Sequence, residues 1–129
     1  MLALDTSVVL RLILGVPAAQ ADAARSALLD ARRTGDDVMV TDAVVGEAYF
    51  ALLHHYAMPE TEALSALRRL LDSGLVVPEP ELILGAFPKA SAAGFMDRLI
   101  HMRHQALGAT TLTFDRKMGR LSGARRLAT

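Results

Sequence analysis

The sequence predicts an α/β fold: a short parallel central sheet of four to five strands flanked by helices. Three observations carry this. Short apolar runs alternate with longer helical patterns, the order expected of strand–helix–strand units. Gly, Pro and Asp residues punctuate the breaks between them. The 129 residues, 52% of them hydrophobic, suit one domain with a real core and argue against disorder, so residues 1–129 read as a single domain.

The elements follow in order. Leu2 to Leu4 is a short apolar strand ending at Asp5. Thr6 to Leu14 reads as a helix stopped by Gly15 and Pro17, and Ala18 to Arg33 as an alanine-rich helix before the turn Gly35-Asp36-Asp37. Val38 to Val40 is a second buried strand. Thr41 caps a helix running to about Tyr56. Pro59 to Asp72 opens with proline and two glutamates and ends before Gly74, a good start and stop for a helix. Leu75 to Val77 is a third strand, closed by Pro78. Glu81 to Phe87 reads as helical up to Pro88, and Lys89 to Ala93 as a loop. Gly94 to Leu107 is helical, Thr110 to Phe114 a β-prone strand, Lys117 to Leu121 a short helix and Arg125 to Leu127 a last edge strand.

Composition removes several function classes. Formal net charge is zero, so any nucleic-acid site must gather its basic groups locally. Without cysteine, disulfide frameworks and thiolate metal sites are out, which fits a reducing, cytoplasmic setting. Asp5 and Arg11 interrupt the apolar start, which therefore lacks the pattern of a signal peptide, and no run approaches the ~20 apolar residues of a membrane span.

Sorting the 14 acidic residues is the most informative step. Most lie in turns, in first helical turns or on polar helix faces. Four are embedded in apolar sequence: Asp5 in LALDTSVV, Glu47 in VVGEAYFALL, Asp97 in GFMDRLI and Asp115 in TLTFDRK. Asp5 and Asp115 sit where a strand hands over to a helix, at the carboxyl edge where parallel sheets bind ligands, although each also reads as a plain helix N-cap. Glu47 shares a helical stripe with Val44, Ala48 and Ala51, which points it inward or to the stripe's edge. Asp97 falls in a first turn, where the helix dipole alone would favour it. Four inward carboxylates at one sheet edge would repel one another and stay ionised only with cations between them. Oxygen ligands without cysteine suit Mg²⁺ or Mn²⁺. The pair His101 and His104, at i and i+3, has no evident third ligand and reads as surface or core-edge histidine.

These pieces resemble a known family. LDTSVVL, TDAVVGEAYFALLHHY, FMDRLIHMRHQALGA and TLTFDRKMGRL with the trailing RRL are similar to PIN-domain ribonucleases, in particular the VapC-type toxins of toxin–antitoxin pairs. The resemblance runs from Leu4 to about Leu127. It implies a PIN-like fold in which Asp5, Glu47, Asp97 and Asp115 hold one or two Mg²⁺ or Mn²⁺ ions, with Thr6, Ser7 and Thr113 as supporting hydroxyls. It implies endonucleolytic cleavage of RNA to a 5′-phosphate and a 3′-hydroxyl. It adds a cognate VapB-like antitoxin whose C-terminal segment covers the acidic pocket and inserts an arginine. Arg98 and the histidines at 101 and 104 depart from the family's smaller residues.

RNA approaching four negative charges needs basic groups nearby, and Arg11, Arg98, Arg116, Lys117 and Arg120 are the candidates, each also explicable as a solvated helix face. With 5% aromatic residues, base stacking is expected to be minor. Apolar residues in the first two helices exceed what a small core absorbs, so a homodimer is expected. Three rivals are a nuclease with the same site acting on DNA or structured nucleic acid, a non-catalytic binding module and a phosphatase using Asp5. Ser7 stands where a dehalogenase-type phosphatase wants a second Asp, which weighs against the last.

Overall fold

All five expected strands form, and among the described residues every strand pair is parallel. A computed structural model describes residues 1–87 and 93–128. The chain divides into two compact units, Met1–Glu79 and Pro80–Thr129.

The first unit runs β1 (Leu2–Ala3), α1 (Thr6–Leu14), α2 (Ala18–Thr34), β2 (Val38–Thr41), α3 (Asp42–His54), α4 (Glu60–Leu71) and β3 (Val77–Glu79). Its sheet has the order β1-β2-β3, with Leu2 beside Val38 and Val40 beside Pro78. The central β2 buries Val38 and Val40, as a strand between two neighbours and under helices must. Gly15, at φ 72°, takes the left-handed turn that ends α1, a conformation open to glycine without a Cβ penalty. Alpha-helical packing supplies most of the core: Val9 from α1, Ala21 and Leu28 from α2, Val45 and Leu52 from α3, Leu64 and Leu67 from α4. The Tyr49 hydroxyl donates to Glu60 Oε2 at 2.6 Å and ties α3 to α4.

The second unit carries a short 3₁₀ helix (Glu81–Ala86), α5 (Phe95–Ala106), β4 (Thr111–Thr113), a 3₁₀ turn (Met118–Arg120) and β5 (Ala124–Arg126). β4 and β5 pair in parallel, Thr111 with Ala124 and Thr113 with Arg126. Ile83, Phe87, Phe95, Leu99 and Met118 form its core, with the Phe87 and Phe95 rings 5.1 Å apart. His101 is 1% exposed. Its Nε2 is 2.7 Å from the Ser122 carbonyl, an acceptor only, so Nε2 carries the proton. Its Nδ1 then accepts from the Thr111 hydroxyl at 2.7 Å, and that oxygen in turn accepts from His104 Nδ1 at 2.8 Å. The i, i+3 pair therefore shares a face, as expected, and meets at a threonine.

The α/β character and the parallel pairing are as expected; the first unit carries a three-stranded sheet and the second a two-stranded one. Other expectations need correction. β3 lies two residues later than expected and includes Pro78, because an edge strand has one side on which the missing N–H costs nothing. The two short late helices are 3₁₀, the form that short pieces adopt. On the first two helices Leu12, Ile13 and Leu14 of α1 are half-buried and Leu29 of α2 is exposed, while α2 spends Ala21, Ala24, Leu28 and Ala31 on the core. Exposed apolar side chains also occur at Met96 and Ile100 of α5 and at Leu107 just after it. The loop expected over Lys89–Ala93 lies, save Ala93, outside the described residues.

Candidate active site

Asp5 ends the connection from β1 into α1, and Thr41 ends β2 and caps α3 through a bond from Val44 N at 3.4 Å. Because β1 and β2 are parallel neighbours, these two helix starts emerge at the same edge of their sheet. Asp5, Thr6 and Ser7 from α1, and Ala43, Val44 and Glu47 from α3, line one open cavity of about 420 Å³ there. The spacing reflects local chemistry. Asp5 is the N-cap, and Glu47 stands in the second turn of α3, on the same side as Ala43 one turn earlier.

Asp5 Oδ1 accepts from the Ser7 hydroxyl at 2.6 Å and from Val8 N at 3.2 Å. These bonds favour the charged form, the serine's most, and hold the carboxyl below the ordinary aspartate range. The Glu47 side chain makes no hydrogen bond or ion pair to another described residue. Both carboxylates are exposed, so the inward orientation expected of them is corrected: they face the cavity, not the core.

The second unit holds the other two acids. Asp115 Oδ2 accepts from Met118 N at 2.7 Å, and Asp115 N donates to Thr113 Oγ1 at 3.0 Å. Thr113 and Asp115 thus fix the turn leaving β4. Asp115 is exposed and Asp97, in the first turn of α5, is half-buried. Among the described residues no group of three or more His, Asp or Glu side chains is arranged to hold a metal ion. The Asp5 and Glu47 pair alone suits a hard cation, since Mg²⁺ is commonly held by one or two carboxylates with water completing the shell.

The basic candidates divide. Arg11 Nε donates to Gln20 Oε1 at 2.6 Å, and Arg11 lies one turn beyond Ser7 on α1. Arg116, Lys117 and Arg120 are exposed around Asp115. Arg98 as a nucleic-acid contact is corrected: it is 7% exposed, its Nε donates to the Ala86 carbonyl at 2.7 Å and Nη1 to the Ala93 carbonyl. A guanidinium spent on buried backbone cannot also hold a phosphate in solvent. Arg126 was missed. It pairs with Thr113 across the β4–β5 ladder and donates from Nε to the Phe114 carbonyl at 3.3 Å, which sets it beside the Asp115 turn. The adjacent arginines at the chain's last strand were the available signal.

The PIN domain family model matches residues 2–124 of this chain. No curated protein and no solved structure matches it.

Proposed function

Because this chain belongs to the PIN domain family, whose members are generally nucleases, we propose that it is a metal-dependent endoribonuclease, the toxin of a VapBC-type pair. The observation that carries the reading is the Asp5–Glu47 cavity at the carboxyl edge of parallel β1 and β2, with Asp5 held ionised by Ser7 and Val8. Asp97 and Asp115, in the second unit, are the other two carboxylates that the reading proposes to test. The family match runs through both compact units, which supports treating them as one PIN domain.

Asp5 and Glu47 would hold Mg²⁺ or Mn²⁺ in this reading. When bound, such an ion acidifies water and polarises a phosphoryl oxygen. The chain's own part is positioning. Ser7 orients the Asp5 carboxylate, Thr6 presents a hydroxyl to the same cavity, and Arg11 offers its remaining N–H groups to the RNA backbone. Arg116, Lys117 and Arg120 would track phosphates near Asp115.

A partner protein is part of the proposal. The exposed apolar side chains of α5 and its C-cap (Met96, Ile100, Leu107) offer a surface to an antitoxin or a second copy. No single helix among the described residues is long and apolar enough to cross a membrane, and a cytoplasmic location belongs to the same reading.

The test is cleavage of end-labelled RNA and DNA panels in Mg²⁺, Mn²⁺ or EDTA. RNA should be cut only with added metal, and Asp5→Asn and Glu47→Gln should each abolish cutting while keeping the fold. Full activity in both variants, or in EDTA, refutes the site. Cutting of DNA alone favours the DNA-directed alternative.

A further inference from the structure

On α3 the face that begins at the Asp5–Glu47 cavity does not end there. At about 100° per residue, Ala43, Glu47, Phe50 and His54 fall within an arc of about 60°. Phe50 stands roughly 4.5 Å, and His54 roughly 10.5 Å, along the helix axis from Glu47. The opposite side of the helix buries Val45, Ala48, Tyr49 and Leu52, so the core makes no use of Phe50. The ring is 56% exposed. It is nonetheless held in place: the His54 imidazole lies against it at 4.4 Å between centroids, and the His55 imidazole meets it edge-on at 6.3 Å.

We infer that Phe50, buttressed by His54, is a stacking platform for a nucleobase of a single-stranded nucleic acid whose scissile phosphate occupies the Asp5–Glu47 cavity. The inference rests on the nuclease reading and adds a subsite to it. An exposed phenyl ring meets the π-face of any base, so the platform would be tolerant of sequence. Its neighbours favour a nucleic acid over a protein partner. The exposed ring is bordered by two imidazoles, it stands about one turn along α3 from Glu47, which lines the cavity, and Arg11 on the adjacent α1 supplies a guanidinium for a flanking phosphate. The low aromatic content of the chain does not count against this, because a single stack needs a single ring.

The probe is a short single-stranded RNA carrying 2-aminopurine, titrated in EDTA so that no metal-dependent cut occurs, with anisotropy of a fluorescein end label read in parallel. Stacking quenches 2-aminopurine. Wild-type protein should quench it. Phe50→Ala should lose the quench and weaken binding by roughly 5- to 150-fold, the range set by the loss of one base–aromatic stack. Phe50→Tyr should retain both signals and Phe50→Leu neither. His54→Ala should give an intermediate loss, since it frees the ring. Leu29→Ala, an exposed apolar residue on α2, should change nothing. Wild-type quench and affinity in Phe50→Ala or Phe50→Leu overturn the platform. So does a change of oligomeric state in Phe50→Ala that accounts for the lost binding, since the ring would then serve a protein interface. Separate assays in Mn²⁺ keep the two ideas apart. Quenching without any cleavage by wild type removes the nuclease reading alone, and cleavage by Phe50→Ala at the wild-type kcat/KM removes the platform alone.

Discussion

Replacing Arg98 by methionine tests whether this side chain is part of the fold or part of an RNA surface. The methionine keeps much of the aliphatic stem and removes the guanidinium. Two carbonyls, those of Ala86 and Ala93, then lose a charged donor in a site only 7% exposed. Hydrogen bonds from a charged group are worth about 1.5–3 kcal/mol each, and removing the buried cation returns part of that as relieved desolvation. The expected net loss is about 3 kcal/mol. An unfolding entropy of about 2.1 cal/mol/K per residue gives about 0.27 kcal/mol/K over the 129 residues, or about 4 °C per kcal/mol. Tm should therefore fall by about 11 °C, read by circular dichroism or calorimetry. Arg98→Lys should recover only part, because one ammonium cannot reproduce the two-nitrogen fork. RNA affinity, measured well below the lowered Tm, should not change. A variant that keeps its Tm within about 2 °C and loses RNA binding would show that the guanidinium works in solvent, and would refute the reasoning.

The depressed titration of Asp5 makes a second prediction. A carboxyl whose folded pKa lies below its unfolded value adds stability above the unfolded pKa and loses it as pH falls through the folded one. Ser7→Ala should move the Asp5 midpoint, followed by carboxyl NMR, up toward the ordinary aspartate range. The stability gap between the two proteins should be present at neutral pH and close under acid conditions; an unmoved midpoint means the serine bond is not its cause. For His101→Phe, the Ser122 carbonyl keeps Gln105 and Thr111 keeps His104, so the cost should be about 1–3 kcal/mol in urea unfolding; a stability equal to wild type would dissolve the proposed hydrogen-bond chain. In Gly119→Ala, the new Cβ would stand 2.8 Å from Arg126 Cβ, a contact between two rigidly placed atoms. Overpacking of this kind costs about 1–3 kcal/mol. Wild-type Tm together with unshifted β5 amide resonances would show that the two segments do not approach so closely.

Secondary structure was legible because its causes are local. Asp5 caps α1 and Thr41 caps α3 with bonds three residues away, and Gly15 stops α1 within a turn. That Asp5 and Glu47 are carboxylates in apolar surroundings was legible; that both line one cavity depends on β1 pairing with β2 and was not. The edge position of Pro78 was not legible, since it depends on which strands pair.

From its residues alone the chain determined its α/β character, its helix ends, its family resemblance and the carboxylates worth testing. Those properties reside in contacts within four residues or in patterns along the chain. Only the tertiary structure decided that Arg98 is spent on two carbonyls, that His101 and His104 share a threonine, and that Phe50 stands in solvent against His54. The physical reason is reach: an arginine, histidine or phenylalanine is equally compatible with core, surface or ligand until the backbone brings, or fails to bring, a partner within its length.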